Sequence, residues 1–165
     1  IAYRKKHSGL PAKGLELNVK VVQQGVIYKK NDVKITAIKV DHGSVEPAYG
    51  YRFDTGENSI LLSGDTTFSK NLVKHGENLD LLIHELAVID HKLIEKNPRL
   101  KKISQYHSSL EQVKKLIDLL EPEQTIFNHL LIIGIDQETV NKKTQSLFKD
   151  KAALGYDLQK ITLPK

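Results

Sequence analysis

The chain contains no cysteine, no methionine and no tryptophan. Without cysteine there can be no disulfide and no thiolate metal ligand, so any metal must be held by imidazole and carboxylate, and the redox compartment is left open. Without methionine, even at position 1, the sequence is expected to be a processed product or the downstream part of something longer. Aromatic residues reach only 6%, too few for the base-stacking platforms of single-strand nucleic-acid binders. No apolar run approaches the roughly 18 residues of a membrane span and the start is not signal-like, so no membrane partner is expected.

What is present fits one domain over residues 1–165: 39% of the residues are hydrophobic, enough for a real core, and nothing marks a linker or a repeat. The formal charge of +5 permits a polyanionic partner, with the lysines read as scattered along the chain. Nothing fixes the compartment; cytoplasmic is favoured over periplasmic.

Up to Ser63 the pattern is strand-rich. "LELNVKVV" (15–22) and "NDVKITAIKV" (31–40) alternate apolar with polar residues, and "AYGYRFD" and "SILLS" are joined by the turn "TGEN". Beyond it, "SKNLVKHG" reads as a short helix started by Ser69 and stopped by Gly76, and "LDLLIHE" as a buried strand. "SSLEQVKKLIDLL" places Leu110, Val113, Leu116, Ile117 and Leu120 on one helical face, with Ser108 and Glu111 as a capping box and Pro122 as the stop. "TIFNHL" is a short strand and "DQETVNKKTQSLF" a final helix, so the expected class is a layered α/β domain.

Four of these strands run straight into a His or an acid: "TAIKVDHG" at His42, "ILLSGD" at Asp65, "DLLIHE" at His84 and Glu85, and "TIFNH" at His129. A carboxylate at the mouth of a buried strand costs several kcal/mol, in order of magnitude, unless it is paired or metal-bound. Each ending alone has a plain structural reading. Asp65 could close an Asx turn, Glu85 could pair with a lysine, and a single His is more often a hydrogen-bonded structural residue than a ligand. Four together point to convergence at the carboxyl ends of the strands, where imidazole and carboxylate suit zinc, manganese or iron. His107, in "YHSS", is a fifth candidate. His7, His75 and His91 read as surface residues.

"VDHGSVEPAYGYRF", "LLSGDTTFSKNLV", "LLIHEL", "YHSSLEQV" and "FNHL", in that order, resemble the second half of a metallo-β-lactamase-fold hydrolase of the ribonuclease Z and arylsulfatase-like branch. The resemblance runs from about Gly25 to Leu130. It implies an αββα sandwich of which this chain is about the second half. It also implies two divalent metal ions, zinc before manganese or iron, with His42, Asp65 and His129 as ligands and Asp65 as the bridge. Glu85 and His107 correspond to a pair in which the acid orients the His and the His protonates the leaving oxygen. The implied activity is hydrolysis by metal-activated water of a phosphoester, sulfate ester or related bond.

Two departures qualify this expectation. The family's His-x-His-x-Asp-His motif does not occur in the sequence, so part of the metal site is expected to come from elsewhere and the chain to pair with its missing N-terminal half or with a copy of itself. Ribonuclease Z enzymes also commonly carry a transfer-RNA-gripping insertion where this chain has only "TGEN", which favours a small ester over RNA as substrate. The alternatives are a ribonuclease Z-like RNA endonuclease and a non-catalytic, truncated binding protein.

Overall fold

The alternation in "VKITAIKV" turns Thr36, Ile38 and Val40 to one side of a strand and Ile35, Ala37 and Lys39 to the other. A computed structural model describes residues 19–163 and shows that strand, β2 (Val33–Val40), as part of a single sheet. Around it lie β1 (Gly25–Lys30), β3 (Ala48–Asp54), β4 (Ser59–Leu62), β5 (Leu81–Ile89), β6 (Gln124–Ile133) and β7 (Ala152–Leu154). The seven strands lie in chain order; β1 to β4 pair antiparallel, and β4 to β7 pair parallel.

Parallel neighbours need crossovers, and helices supply them. They are α1 (Lys70–His75) between β4 and β5; α2 (His91–Lys96), α3 (Pro98–Ser104) and α4 (Leu110–Leu120) between β5 and β6; and α5 (Gln137–Phe148) before β7. Ser69 and Gly76 cap α1 as expected. The capping box of α4 is Ser109 with Gln112, one residue later than the expected Ser108 with Glu111. Ser108 is occupied elsewhere: its amide donates to Glu85 and its hydroxyl to the Thr66 carbonyl.

The core lies between the sheet and the helices. Ile38, Leu61, Leu82, Leu86 and Phe127 from the strands meet Leu72, Val113, Leu116, Val140 and Phe148 from the helices. Each such side chain contributes about 1.5–3 kcal/mol by leaving water. On the other sheet face the register aligns Ile35, Phe53 and Ile60, and next to them Tyr51, Leu62 and Ile83. All six are only half-buried.

Several local expectations differ. Val19–Val22 form no strand, and the rest of the 15–22 segment, like His7, lies outside the described residues. β1, α2, α3 and β7 carry no clear periodic signal because they are short or exposed. His84, Glu85 and His129 are not at strand ends: β5 and β6 run on together to Ile89 and Ile133. His91 is exposed as expected, whereas His75 is half-buried.

Candidate metal centre

β2 and β4 run in the same direction, so the segments that leave them emerge at one end of the sheet, where β5 and β6 continue past. His42 stands two residues beyond β2. Its ring Nδ1 is 2.9 Å from the Tyr106 carbonyl, which only accepts, so Nδ1 carries the proton and Nε2 is left with a lone pair. The turn that follows depends on Gly43, whose backbone is left-handed (φ +59°) and whose missing side chain leaves room for the Tyr106 ring.

Asp65 is delivered by the turn after β4. Gly64 is also left-handed (φ +61°), and a Cβ there would run into the Tyr49 carbonyl oxygen, so only glycine fits. Asp65 Oδ2 then lies 3.5 Å from His129 Nε2 and 4.0 Å from His42 Nε2. His129 owes its place to a β-bulge: Glu85 pairs with Asn128 and Leu86 with Leu130, leaving His129 as the extra residue, at φ 41°. Bulges re-aim side chains in this way beside functional sites.

The His107 ring sits between the other two imidazoles, 5.0 Å from that of His42 and 5.5 Å from that of His129. Behind it is Glu85, 1% exposed. Its Oε1 accepts from the amides of Thr66 (3.2 Å) and Ser108 (2.9 Å) and lies 3.3 Å from His107 Nδ1, without the alignment of a hydrogen bond. Among the described residues Glu85 Oε2 has no hydrogen-bond partner. Burial pushes the Glu85 carboxyl up to about 8, against the lowering effect of those two amides. Burial also lowers the pKa of His107; Asp65 raises it, and His42 and His129 lower it further.

Four expected residues therefore converge, His42, Asp65, His107 and His129, with Glu85 behind His107. Among the described residues, the tightest possible ligand set is Asp65, His107 and His129, whose donor atoms all lie within 4.8 Å of one another; His42 reaches Asp65. His84 points to the helix face instead, 1% exposed, its Nδ1 donating to the Glu85 carbonyl at 2.6 Å. Tyr106 and Thr66 carry no sequence signal of their own and Ser108 is expected only as a helix cap, although each adjoins a candidate site residue. Thr66 exchanges hydrogen bonds with the Asp41 backbone and Ser108 ties Thr66 to the His107 loop.

The donor set suits a divalent cation. Ligands of a tetrahedral zinc at about 2.1 Å would stand about 3.4 Å apart, close to the Asp65–His129 spacing, and that spacing is not explained by a hydrogen bond between them.

The family model described as the beta-lactamase superfamily domain matches residues 2–130. The chain belongs to that family. Ribonuclease Z of Mycolicibacterium gilvum (strain PYR-GCK) is 34% identical over 114 residues, 68% of this chain and 39% of that protein. The chain spans 39–57% of the length of the first curated relatives it matches. Among solved structures, a metallo-beta-lactamase fold protein from Bacillus subtilis superposes with a TM-score of 0.59 at 17% identity, over 78% of this chain and 48% of that one. The isothiocyanate hydrolase from Delia radicum gut bacteria does so with a TM-score of 0.66 at 17% identity, over 89% and 60%. The superfamily member therefore has the metallo-β-lactamase fold.

Proposed function

We propose that this chain carries one side of a hydrolytic metal centre acting on a phosphodiester or related ester. The observation that carries the reading is the convergence of Asp65 with three imidazoles at the sheet end. The 34% identity to a ribonuclease Z over 114 residues supports a phosphodiester over a sulfate ester.

His42, Asp65 and His129 would hold the metal, zinc before manganese or iron. When bound, such a cation supplies Lewis acidity towards a substrate oxygen and lowers the pKa of water near it. The chain's own residues do the rest. Tyr106 fixes the His42 tautomer through its carbonyl. Glu85 Oε1, already accepting from two amides, lies 3.3 Å from His107 Nδ1 and would accept its proton once the ring turns into line, leaving a lone pair on Nε2. In that state His107 takes a proton at Nε2, and it delivers one to a leaving oxygen only after taking one up.

The remaining ligands would come from a further polypeptide segment, an N-terminal half or a second copy. The half-buried apolar sheet face beside the site would be the surface that meets it.

The test is metal content together with turnover of bis-p-nitrophenyl phosphate. Asp65→Ala should lose bound zinc and activity together, whereas His107→Ala should lose most turnover with zinc retained. Full zinc occupancy in Asp65→Ala would overturn the reading.

A ribonuclease Z-like RNA endonuclease is the second reading, favoured by the same relative. The short connection of β3 to β4, closed by Thr55 and Asn58, leaves no long arm there to grip RNA.

A further inference from the structure

Most of the lysines are scattered as the sequence suggests, but one short stretch is dense in positive charge. Residues 91–102 hold Lys92, Lys96, Arg99, Lys101 and Lys102 against one acid, Glu95. That is an excess of four positive charges, whereas residues 19–163 together have an excess of one, so the rest of the described chain is net acidic. All five cations are exposed on α2 and α3, and among the described residues none forms an ion pair. Glu95 is engaged with His91, and Lys102 lies over the Tyr106 ring.

Helix electrostatics explains only part of this. Lys96, Lys101 and Lys102 occupy last turns, where cations complement the dipole. Lys92 and Arg99 occupy first turns, the positive end; α2 has only its capping acid, Asp90, there, and α3, capped by the neutral Asn97, has none. The first turns of α4 and α5, in contrast, hold Glu111 and Glu138. Helices of six and seven residues have little stability of their own, so crowding like charges on them calls for an external counter-charge.

The patch adjoins the cluster. α3 ends at Ser104, Tyr106 and His107 follow, and the Tyr106 hydroxyl meets Ser44 at 3.1 Å while its carbonyl holds His42. The only large apolar side chain exposed on these helices is Leu93, so the anchor that a protein partner would need is missing.

We propose that α2 and α3 form a platform that binds the phosphate backbone of single-stranded RNA and leads it to the His42–Asp65–His107–His129 cluster. The contact is electrostatic, in keeping with the scarcity of aromatics. This rests on the phosphodiester reading above.

The test is anisotropy of a fluorescein-labelled single-stranded RNA with the full chain over a salt series. Each phosphate contact on a single strand contributes about 0.7 to the slope of log affinity against log salt. Changing Lys92, Arg99 and Lys102 together to Gln should therefore lower the slope by about 2 and weaken binding at least about tenfold at low salt. Lys102→Gln alone should remove about 0.7. Changing Lys142, Lys149 and Lys151 to Gln should leave slope and affinity at the wild-type values. Wild-type binding without salt dependence, or a platform variant with the wild-type slope, would overturn the platform. The same variant should keep its zinc and its turnover of bis-p-nitrophenyl phosphate. Failure of the hydrolase reading appears instead as full zinc in Asp65→Ala, whatever the RNA slope does.

Discussion

Gly43 shows how narrowly a single position constrains this site. A Cβ there would be strained by the left-handed backbone and would run into the Tyr106 ring, whose carbonyl sets the His42 tautomer. Gly43→Ala should destabilise the chain by about 1–3 kcal/mol and weaken zinc binding. Adding Tyr106→Ala should recover part of the stability, a non-additivity that thermal denaturation of the two single variants and the double variant would read. His84 and Glu85, neighbours on opposite faces of β5, have opposite pH signatures. Burial lowers His84 from 6.5 to about 4, so its contribution is complete above pH 6.5 and is lost as pH falls towards 4. On the order of 3 kcal/mol goes with it, and a His84→Asn chain should lack that acid slope in denaturant titrations. Glu85 is raised from 4.5 to about 8, so its contribution is complete below pH 4.5 and is lost as pH rises through 8; Glu85→Gln should flatten that decline.

At the scale of elements, the loop before α4 does two jobs with adjacent serines. Ser109 caps the helix, and Ser108 ties the His107 loop to Thr66 and Glu85. Ser109→Ala should cost about 1 kcal/mol with zinc content unchanged. Ser108→Ala leaves a buried carbonyl without its donor, and should cost about 1–3 kcal/mol and lower zinc content as well, since Thr66 follows Asp65 directly. Calorimetry and metal analysis on the pair of variants separate the two roles. The bulge in β6 is the corresponding device on the opposite side of the site: a regular ladder through that point would leave no extra residue to turn towards Asp65.

For the whole molecule, the two faces of the sheet differ. One is covered by α1, α4 and α5; the other presents Ile35, Tyr51, Phe53, Ile60, Leu62 and Ile83 half-buried and contiguous. Such a face favours association, so sedimentation should show concentration-dependent self-association, and Phe53→Lys with Leu62→Glu should reduce it. No helix among the described residues is long and apolar enough to cross a membrane, so the face is not part of a helical span.

The sequence by itself determined what rests on local periodicity and local chemistry. The alternation of β2, the apolar stripe of α4, the caps of α1 and the candidates His42, Asp65, Glu85, His107 and His129 were all legible from nearest-neighbour patterns. Only the tertiary structure decided the rest. That His84 faces the core while Glu85 reaches the site follows from how far β5 extends, and the position of His129 from a one-residue mismatch with β5. The move of the cap from Ser108 to Ser109 follows from a carboxylate 23 residues away. Each of these depends on contacts between segments distant in sequence, and period alone does not encode which partner a strand or a hydroxyl will find.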